Sequence, residues 1–441
     1  MDVTIEKLIY GGEGLAHHDG STVFVPFVLP RERVAAVPAE RKKKFVRARL
    51  EKLLEPSAER VAPRCPHFGD CGGCHYQHIP YDAQLQYKAE ILRETLRRIG
   101  HIVWEGEIAL HPSPPWGYRN RAQWKVRPAE NTPAAAPGNA GVNPLAIGYF
   151  RAHSSALCAA SECAILSPLL LKTFLALRGA LLAGRLPAEL REIEAFSSED
   201  ADGNNPRLLM TAAFSGFPSR ASELAETFRR IAPEIHSLLF HDPDRGRMEL
   251  FGPGFLECEV GGVKHRAGHF SFFQVNRFLA EGMVRVAAEA IEGGRLALDL
   301  FAGVGLFSLA LAKKFERVIA VEANPAAARD LESNATNQGA RPGGKIETHS
   351  AEAERFLEKH AGKPDFVLLD PPRSGLTPRI IRDLARLAPP RITYISCEPP
   401  TLARDLKALR DAGYTIAETH LFDLFPQTFH IEVAVMLRRQ S

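Results

Sequence analysis

Two groups of residues in this 441-residue chain have the types and spacing to do chemistry. The first lies in Thr393-Tyr-Ile-Ser396-Cys397-Glu398-Pro399, an apolar run that delivers a cysteine to the carboxyl end of a strand. A solitary cysteine in an apolar strand is usually core, whereas one at the strand's end stands where ligands sit in open α/β sheets. A free thiol ionises near about pH 8.5, so Cys397 needs a local positive potential to serve as a thiolate nucleophile. Phe429-His430-Ile431-Glu432 then offers a carboxylate just before the terminal apolar strand Val433 to Leu437. Glu432 suits a general base, with a surface strand carboxylate as the plain alternative. The second group is Cys65, Cys71 and Cys74, crowded into a loop of Cys, His, Gly and Pro that ends at His78. Seven cysteines in so long a chain are no disulfide framework, and this spacing is that of a metal or cluster site. Cys163, His67, His75 or His78 would supply a fourth ligand, and four thiolates suit zinc or an iron-sulfur cluster. Cys258 has no neighbouring partner and reads as core.

A further strand ends in Leu298-Asp-Leu-Phe301-Ala-Gly303-Val-Gly305 and opens a helix at once. Its glycines let backbone approach a ligand at a helix N-terminus. Glu322 closes the next strand at about the 20-residue distance at which an acidic side chain takes both hydroxyls of a ribose. Ser308 stands where a dinucleotide fingerprint wants its third glycine, and the Asp-x-Phe-x-Gly-x-Gly strand end resembles motif I of S-adenosylmethionine-dependent methyltransferases. The strand Phe366 to Asp370 runs into Pro371-Pro372-Arg373. Amine methyltransferases follow a related turn with an aromatic residue that stacks on a flipped base, so arginine argues against an exocyclic amine as acceptor. A pyrimidine acceptor gives Cys397 a purpose. C5 of uracil is not nucleophilic until something adds to C6; C5 then attacks the sulfonium methyl, and a base must remove the C5 proton before the thiolate leaves.

These side chains need elements to hold them. Beyond residue 270 strands and helices alternate: Arg295 to Phe301, helix Leu306 to Phe315, Val318 to Glu322, helix Pro325 to Gln338, Phe366 to Asp370, helix Pro378 to Leu387, and Thr393 to Cys397. Such alternation predicts an α/β, doubly wound parallel sheet. Val3 to about Leu54 instead reads as short strands with glycine punctuation, a small barrel. Eleven basic residues against five acidic ones between Arg31 and Arg64 make a stripe suited to a phosphate backbone, with a solvated hairpin tip at Arg41 to Lys44 as the bland alternative. Tyr81 to Ile99 has helical periodicity. Ala129 to Asn143 has no period and is expected to be a mobile loop. Short alternating runs between them point to an α+β middle domain ending near residue 265.

Taken in order, Phe272-Phe-Gln274-Val-Asn276, Asp299 to Gly305, Asp370-Pro-Pro-Arg373, Ser396-Cys-Glu-Pro399 and His430-Ile-Glu432 resemble the RNA uracil-C5 methyltransferase family over nearly the whole chain. The resemblance implies a Rossmann-like S-adenosylmethionine-dependent domain over residues 266–441. It implies an OB-like TRAM barrel over 1–57 and a middle domain over 58–265, with the helix at 81–99 packing on the catalytic domain. It makes Cys397 the nucleophile and Glu432 the base, and gives Gln274, Phe301, Gly303, Glu322, Ser350 and Asp370 to the cofactor. Leu306 departs from the polar residue often found after Gly-x-Gly, and Glu398 stands where many members carry Asn.

Cys65, Cys71 and Cys74 then resemble the [4Fe-4S] site of the ribosomal-RNA branch, with zinc the alternative. Cys163 is preferred over Cys158 as fourth ligand because Cys-x-Ile-Leu after Gly148-Tyr-Phe-Arg151 matches the family. The expected substrate is 23S ribosomal RNA. Its alternatives are the T-loop uridine of transfer RNA or, from another class, RNA binding without catalysis. Phe270, Phe272 and Arg373 are candidates to hold the base, and Tyr118 to Arg121 a candidate RNA contact, with an exposed loop as the alternative reading.

Composition narrows the field further. Hydrophobic residues at 45%, charged residues at 24% and a slightly negative mean hydropathy belong to globular proteins and exclude wholesale disorder. No run approaches the roughly 20 apolar residues a membrane helix needs. The start Met-Asp-Val-Thr-Ile-Glu-Lys lacks the order of a secretory signal, so a cytoplasmic location is expected. Nothing in the sequence calls for an obligate protein partner.

Overall fold

The structure is a computed structural model that describes residues 1–129, 145–198, 205–337 and 344–440. The segment expected to be a mobile loop, 129–143, lies outside the described residues but for Ala129. Three sheets carry most of the chain. The first is a curled six-stranded sheet in the order Asp2–Thr4, Arg33–Arg41, Phe45–Glu55, Ser21–Pro26, Glu13–His18, Lys7–Leu8. Alternation turns Val3, Val23, Val25, Val34, Ala36, Val46 and Ala48 inward, as a half-buried strand requires. The strand Arg33–Arg41 escapes a propensity reading because it holds Pro38. The register shifts between Pro38 and Glu40, a bulge that relieves the missing N–H. Arg41 to Lys44 form the exposed tip of the next hairpin, so the basic run is both a solvated tip and a projecting positive patch.

The second sheet has seven strands, from Leu157–Ala159 at one edge to Arg247–Phe251 at the other, with helices Pro168–Leu182 and Ala221–Ile231 packed on its face. The hairpin Phe255–Val260 and Val263–Gly268 follows. The boundary expected at residue 265 falls inside this hairpin's second strand. Leu256, Cys258, Val260 and Ala267 share a core with Leu306, Phe307 and Phe366 of the next unit, so the chain has already crossed over.

The third sheet has eight strands in the order Lys345–Ser350, Phe315–Glu322, Gly294–Leu300, Phe366–Leu369, Arg391–Ser396, Glu432–Arg439, Tyr414–Phe422, Ala109–His111. The first five are parallel, and Glu432–Arg439 inserts antiparallel beside Arg391–Ser396. Strand order reverses on either side of Gly294–Leu300, which opens the ligand crevice at the carboxyl ends. The helix expected to reach Phe315 spans only Leu306–Leu311. Phe315 is needed earlier as a strand residue, because its ring is buried and stacks on Phe366 at 5.8 Å.

The helix Tyr81–Gly100 leaves its neighbours in sequence and packs on Pro399–Asp411, with Ile91, Leu92 and Leu96 among Leu402, Leu406 and Leu409. A buried ion pair fixes it: Lys88 Nζ donates to Asp423 Oδ1 at 2.6 Å, both side chains 0% exposed. Removing one partner of such a pair strands a buried charge, at about 3–5 kcal/mol. Among the described residues no helix is long and apolar enough to cross a membrane.

Candidate active site

Antiparallel register brings the two expected catalytic side chains together. Ser396 lies opposite Val433, so the pair that follows at the strands' ends is Cys397 and Glu432. Burial raises the Cys397 thiol to about 11, the Glu432 charge adds to it, and the Arg373 guanidinium opposes both by charge and by hydrogen bonding. Glu432, 7% exposed, is held well above the ordinary carboxylate range by burial and then by Asp370, with Arg373 again the opposing influence. Arg373 thus serves both groups. The sequence had marked it only as a base-holding candidate; the signal for the rest was its place after the Asp-Pro-Pro turn.

The crevice beside this pair is acidic. Asp299 is raised to about 7 by burial, eased by a 2.5 Å hydrogen bond from Ser308 Oγ; among the described residues its Oδ1 has no partner. Asp370 is likewise raised to about 7, by burial and then by Asp299 and Glu322. Glu322 accepts from Gly303 N at 2.8 Å and Asn324 N at 2.7 Å, which locks the glycine turn to the end of the second strand. The turn has left-handed backbone at Phe301 (φ 68°), Gly303 (φ 56°) and Gly305 (φ 90°). At Gly305 the left-handed backbone favours glycine, and a Cβ there would also crowd the Leu331 side chain at 2.7 Å. Among the described residues no cation helps set the charge of Asp299 or Asp370, so this crevice suits a ligand that brings positive charge, as a sulfonium does.

Other expected residues sit further apart. Ser350 ends the outer parallel strand in register with Glu322 and is exposed. Gln274 is buried and borders a cavity of about 460 Å³ with Asn120, Ser198 and Arg277. Phe270 and Phe272, at 48% and 59% exposure, are free to meet a base. The Tyr118 to Arg121 stretch is not an exposed loop: Tyr118 and Asn120 are buried, and Arg119 and Arg121 are half-buried. Tyr118 is fully buried with its hydroxyl on Pro426 O at 3.0 Å, and Arg121 ties Glu194 to Ser271 O. These residues stitch the middle sheet to the segment that carries Gln274.

The cysteine loop closes on one cavity of about 210 Å³ lined by Cys65, Cys71, Cys74 and Cys163. His67 bonds to both Ser161 Oγ (2.9 Å) and Ser161 N (2.8 Å), drawing the Cys163 segment onto the loop. Cys158 is buried outside that cavity, on the strand Leu157–Ala159. His75 packs edge-on to Phe429 and His78 bonds to Val28 O, so both turn toward other elements. Among the described residues no group of three or more Cys, His, Asp or Glu stands close enough to grip a single metal ion. Cys258 is core.

An open α/β sheet with a glycine turn, a ribose-type acid and an acidic crevice is the arrangement of an S-adenosylmethionine-dependent methyltransferase. The family model described as tRNA (Uracil-5-)-methyltransferase matches residues 256–440. A 23S rRNA (uracil(1939)-C(5))-methyltransferase of Alkalilimnicola ehrlichii is 34% identical, covering 100% of this chain and 97% of its own. An uncharacterised RNA methyltransferase of Aquifex aeolicus is 32% identical over 99% of the chain and 98% of its own. The crystal structure of Pyrococcus abyssi tRNA (uracil-54, C5)-methyltransferase with S-adenosyl-L-homocysteine superposes with a TM-score of 0.74 and 26% identity, covering 99% of this chain and 100% of its own. The chain belongs to the RNA uracil-C5 methyltransferase family. It is an S-adenosylmethionine-dependent enzyme that methylates C5 of uracil in RNA.

Proposed function

We propose that the substrate is 23S ribosomal RNA and that Cys397 and Glu432 carry the chemistry. The observation that supports the mechanism most is the antiparallel register of Arg391–Ser396 against Glu432–Arg439, continued by one residue pair and flanked by Arg373. Arg373 favours the thiolate of Cys397, which adds to C6 of uracil and makes C5 nucleophilic. S-adenosylmethionine supplies the electrophilic methyl. Glu432 takes the C5 proton, and the S–C6 bond breaks to return the thiolate and the methylated base. Gln274, Phe301, Gly303, Glu322, Ser350 and Asp370 would hold the cofactor, Glu322 at the ribose.

Cys65, Cys71, Cys74 and Cys163 would hold a [4Fe-4S] cluster. The four thiols line one cavity, and four thiolates suit a cluster or zinc; the resemblance to the ribosomal-RNA branch favours the cluster. The proposed transfer involves no redox step, so the cluster's place is structural or RNA-positioning. In this reading residues 1–57 grip the phosphate backbone, 58–265 carry the cluster, and 266–441 with the helix Tyr81–Gly100 methylate.

Full-length relatives named for 23S rRNA at 32–34% identity favour the ribosomal substrate. The Pyrococcus abyssi neighbour, named for tRNA, favours the T-loop alternative. Anaerobically prepared protein incubated with labelled S-adenosylmethionine and, separately, unmodified ribosomal and transfer RNA decides between them. Label in 5-methyluridine is expected from ribosomal RNA alone; label from transfer RNA alone would overturn the assignment.

A further inference from the structure

The barrel reaches into both catalytic loops. Its turn from Ile9 to Glu13 is closed by Ile9 N to Glu13 O (2.9 Å) and Gly12 N to Ile9 O (3.2 Å), with Gly11 and Gly12 in the left-handed region. From that turn the Tyr10 hydroxyl donates to Glu398 Oε2 at 3.0 Å and lies 3.4 Å from the carbonyl oxygen of Cys397. Glu398 is the N-cap residue of helix Pro399–Asp411, yet its side chain makes no capping bond. Its carboxylate faces the barrel instead, while its backbone is fixed from within: its N–H donates to Ser396 Oγ at 3.1 Å and its carbonyl accepts from Thr401 Oγ1 at 3.0 Å.

The same turn meets the other loop. Tyr10 packs edge-on to Phe429, with ring centroids 5.7 Å apart. Gly12 comes so close that a Cβ there would lie 3.1 Å from the Phe429 ring and 3.3 Å from His75. Phe429 leads through His430 and Ile431 to Glu432.

We infer that Tyr10 is a positioning residue: through Glu398 it sets the loop that carries Cys397, and through Phe429 the loop that leads to Glu432, so the barrel fixes the geometry of the catalytic pair. The inference rests on the assignment of Cys397 and Glu432 above. It also gives a role to Glu398, where an Asn would offer a shorter and uncharged acceptor. Catalytic groups lose rate steeply when displaced by an ångström, while substrate contacts elsewhere are untouched.

The test uses the full chain with an unmodified 23S rRNA transcript, measuring kcat, both KM values, thermal melting and the rate of covalent adduct formation on a transcript bearing 5-fluorouridine. Tyr10→Phe keeps the ring on Phe429 and removes only the hydroxyl. It is expected to lower kcat and adduct formation about tenfold, the worth of one hydrogen bond to a charged group, with KM values and melting unchanged. Glu398→Ala should lose as much, the double variant no more than either, and Glu398→Gln, which keeps an acceptor oxygen, less than Glu398→Ala. A raised KM for RNA at unchanged kcat, losses that multiply in the double variant, or no loss in Tyr10→Phe would each overturn the inference. Cys397→Ala separates the two levels. If it still methylates, the nucleophile assignment itself is wrong; if it is dead while Tyr10→Phe is unimpaired, only the role of Tyr10 falls.

Discussion

The two cysteine centres solve the same electrostatic problem differently. Burial raises the thiols of Cys397 and Cys71 to about 11 and that of Cys74 to about 12. At Cys397 a fixed cation answers this, for the Arg373 guanidinium stands against the thiol. In the loop the strongest answers are the backbone N–H of Gly73 for Cys71 and the Gln77 amide for Cys74, while the remaining thiols of the group raise one another. A thiol whose proposed task is to attack and then leave keeps its charge partner in the protein. Thiols whose proposed task is to hold a cluster leave that charge to be supplied by what they bind.

The sharpest way to break this contrast is Cys397→Ala. It should cut methylation by about 10⁴-fold or more while RNA binding, measured by filter retention, stays within about twofold, because only the covalent path is lost. Residual turnover near wild type would remove the nucleophile from the mechanism.

Arg373→Gln tests the fixed cation. Removing it raises the Cys397 pKa further, so less thiolate exists at any given pH. The rising limb of log(kcat/KM) against pH should move to higher pH, and the rate at neutral pH should fall by about tenfold for each unit of displacement. A drop with no movement of the limb would make Arg373 a substrate contact instead.

The smallest effect on chemistry is expected in the loop. Cys74→Ser should abolish visible cluster absorption and lower the melting temperature, yet leave kcat within about threefold if the protein still folds. Cys158→Ser, outside the shared cavity, should keep the absorption. Absorption lost on Cys158→Ser but kept on Cys163→Ser would reverse the choice of fourth ligand.

Much of the catalytic half was legible in the chain because parallel strands buried on both faces read as continuous apolar runs that stop where chemistry begins, as at Leu300, Leu369 and Ser396. Short or interrupted elements were not. Ala109–His111 has three residues and becomes a strand only by pairing with Tyr414–Phe422, and Arg33–Arg41 hides its strand behind Pro38. Tyr118 to Arg121 was illegible for a related reason: only packing makes the buried Tyr118 and Asn120 a seam between sheets rather than part of a loop.

By itself the sequence determined the reaction class, since the residue types at the strand ends fix what can ionise, attack or accept a proton. Only the tertiary structure decided who stands beside whom. The register that pairs Cys397 with Glu432, the guanidinium of Arg373 against the thiol, and the contact of Tyr10 with Glu398 all join residues distant in sequence. Such pairings are set by packing and strand register across the whole fold, which local pattern does not encode.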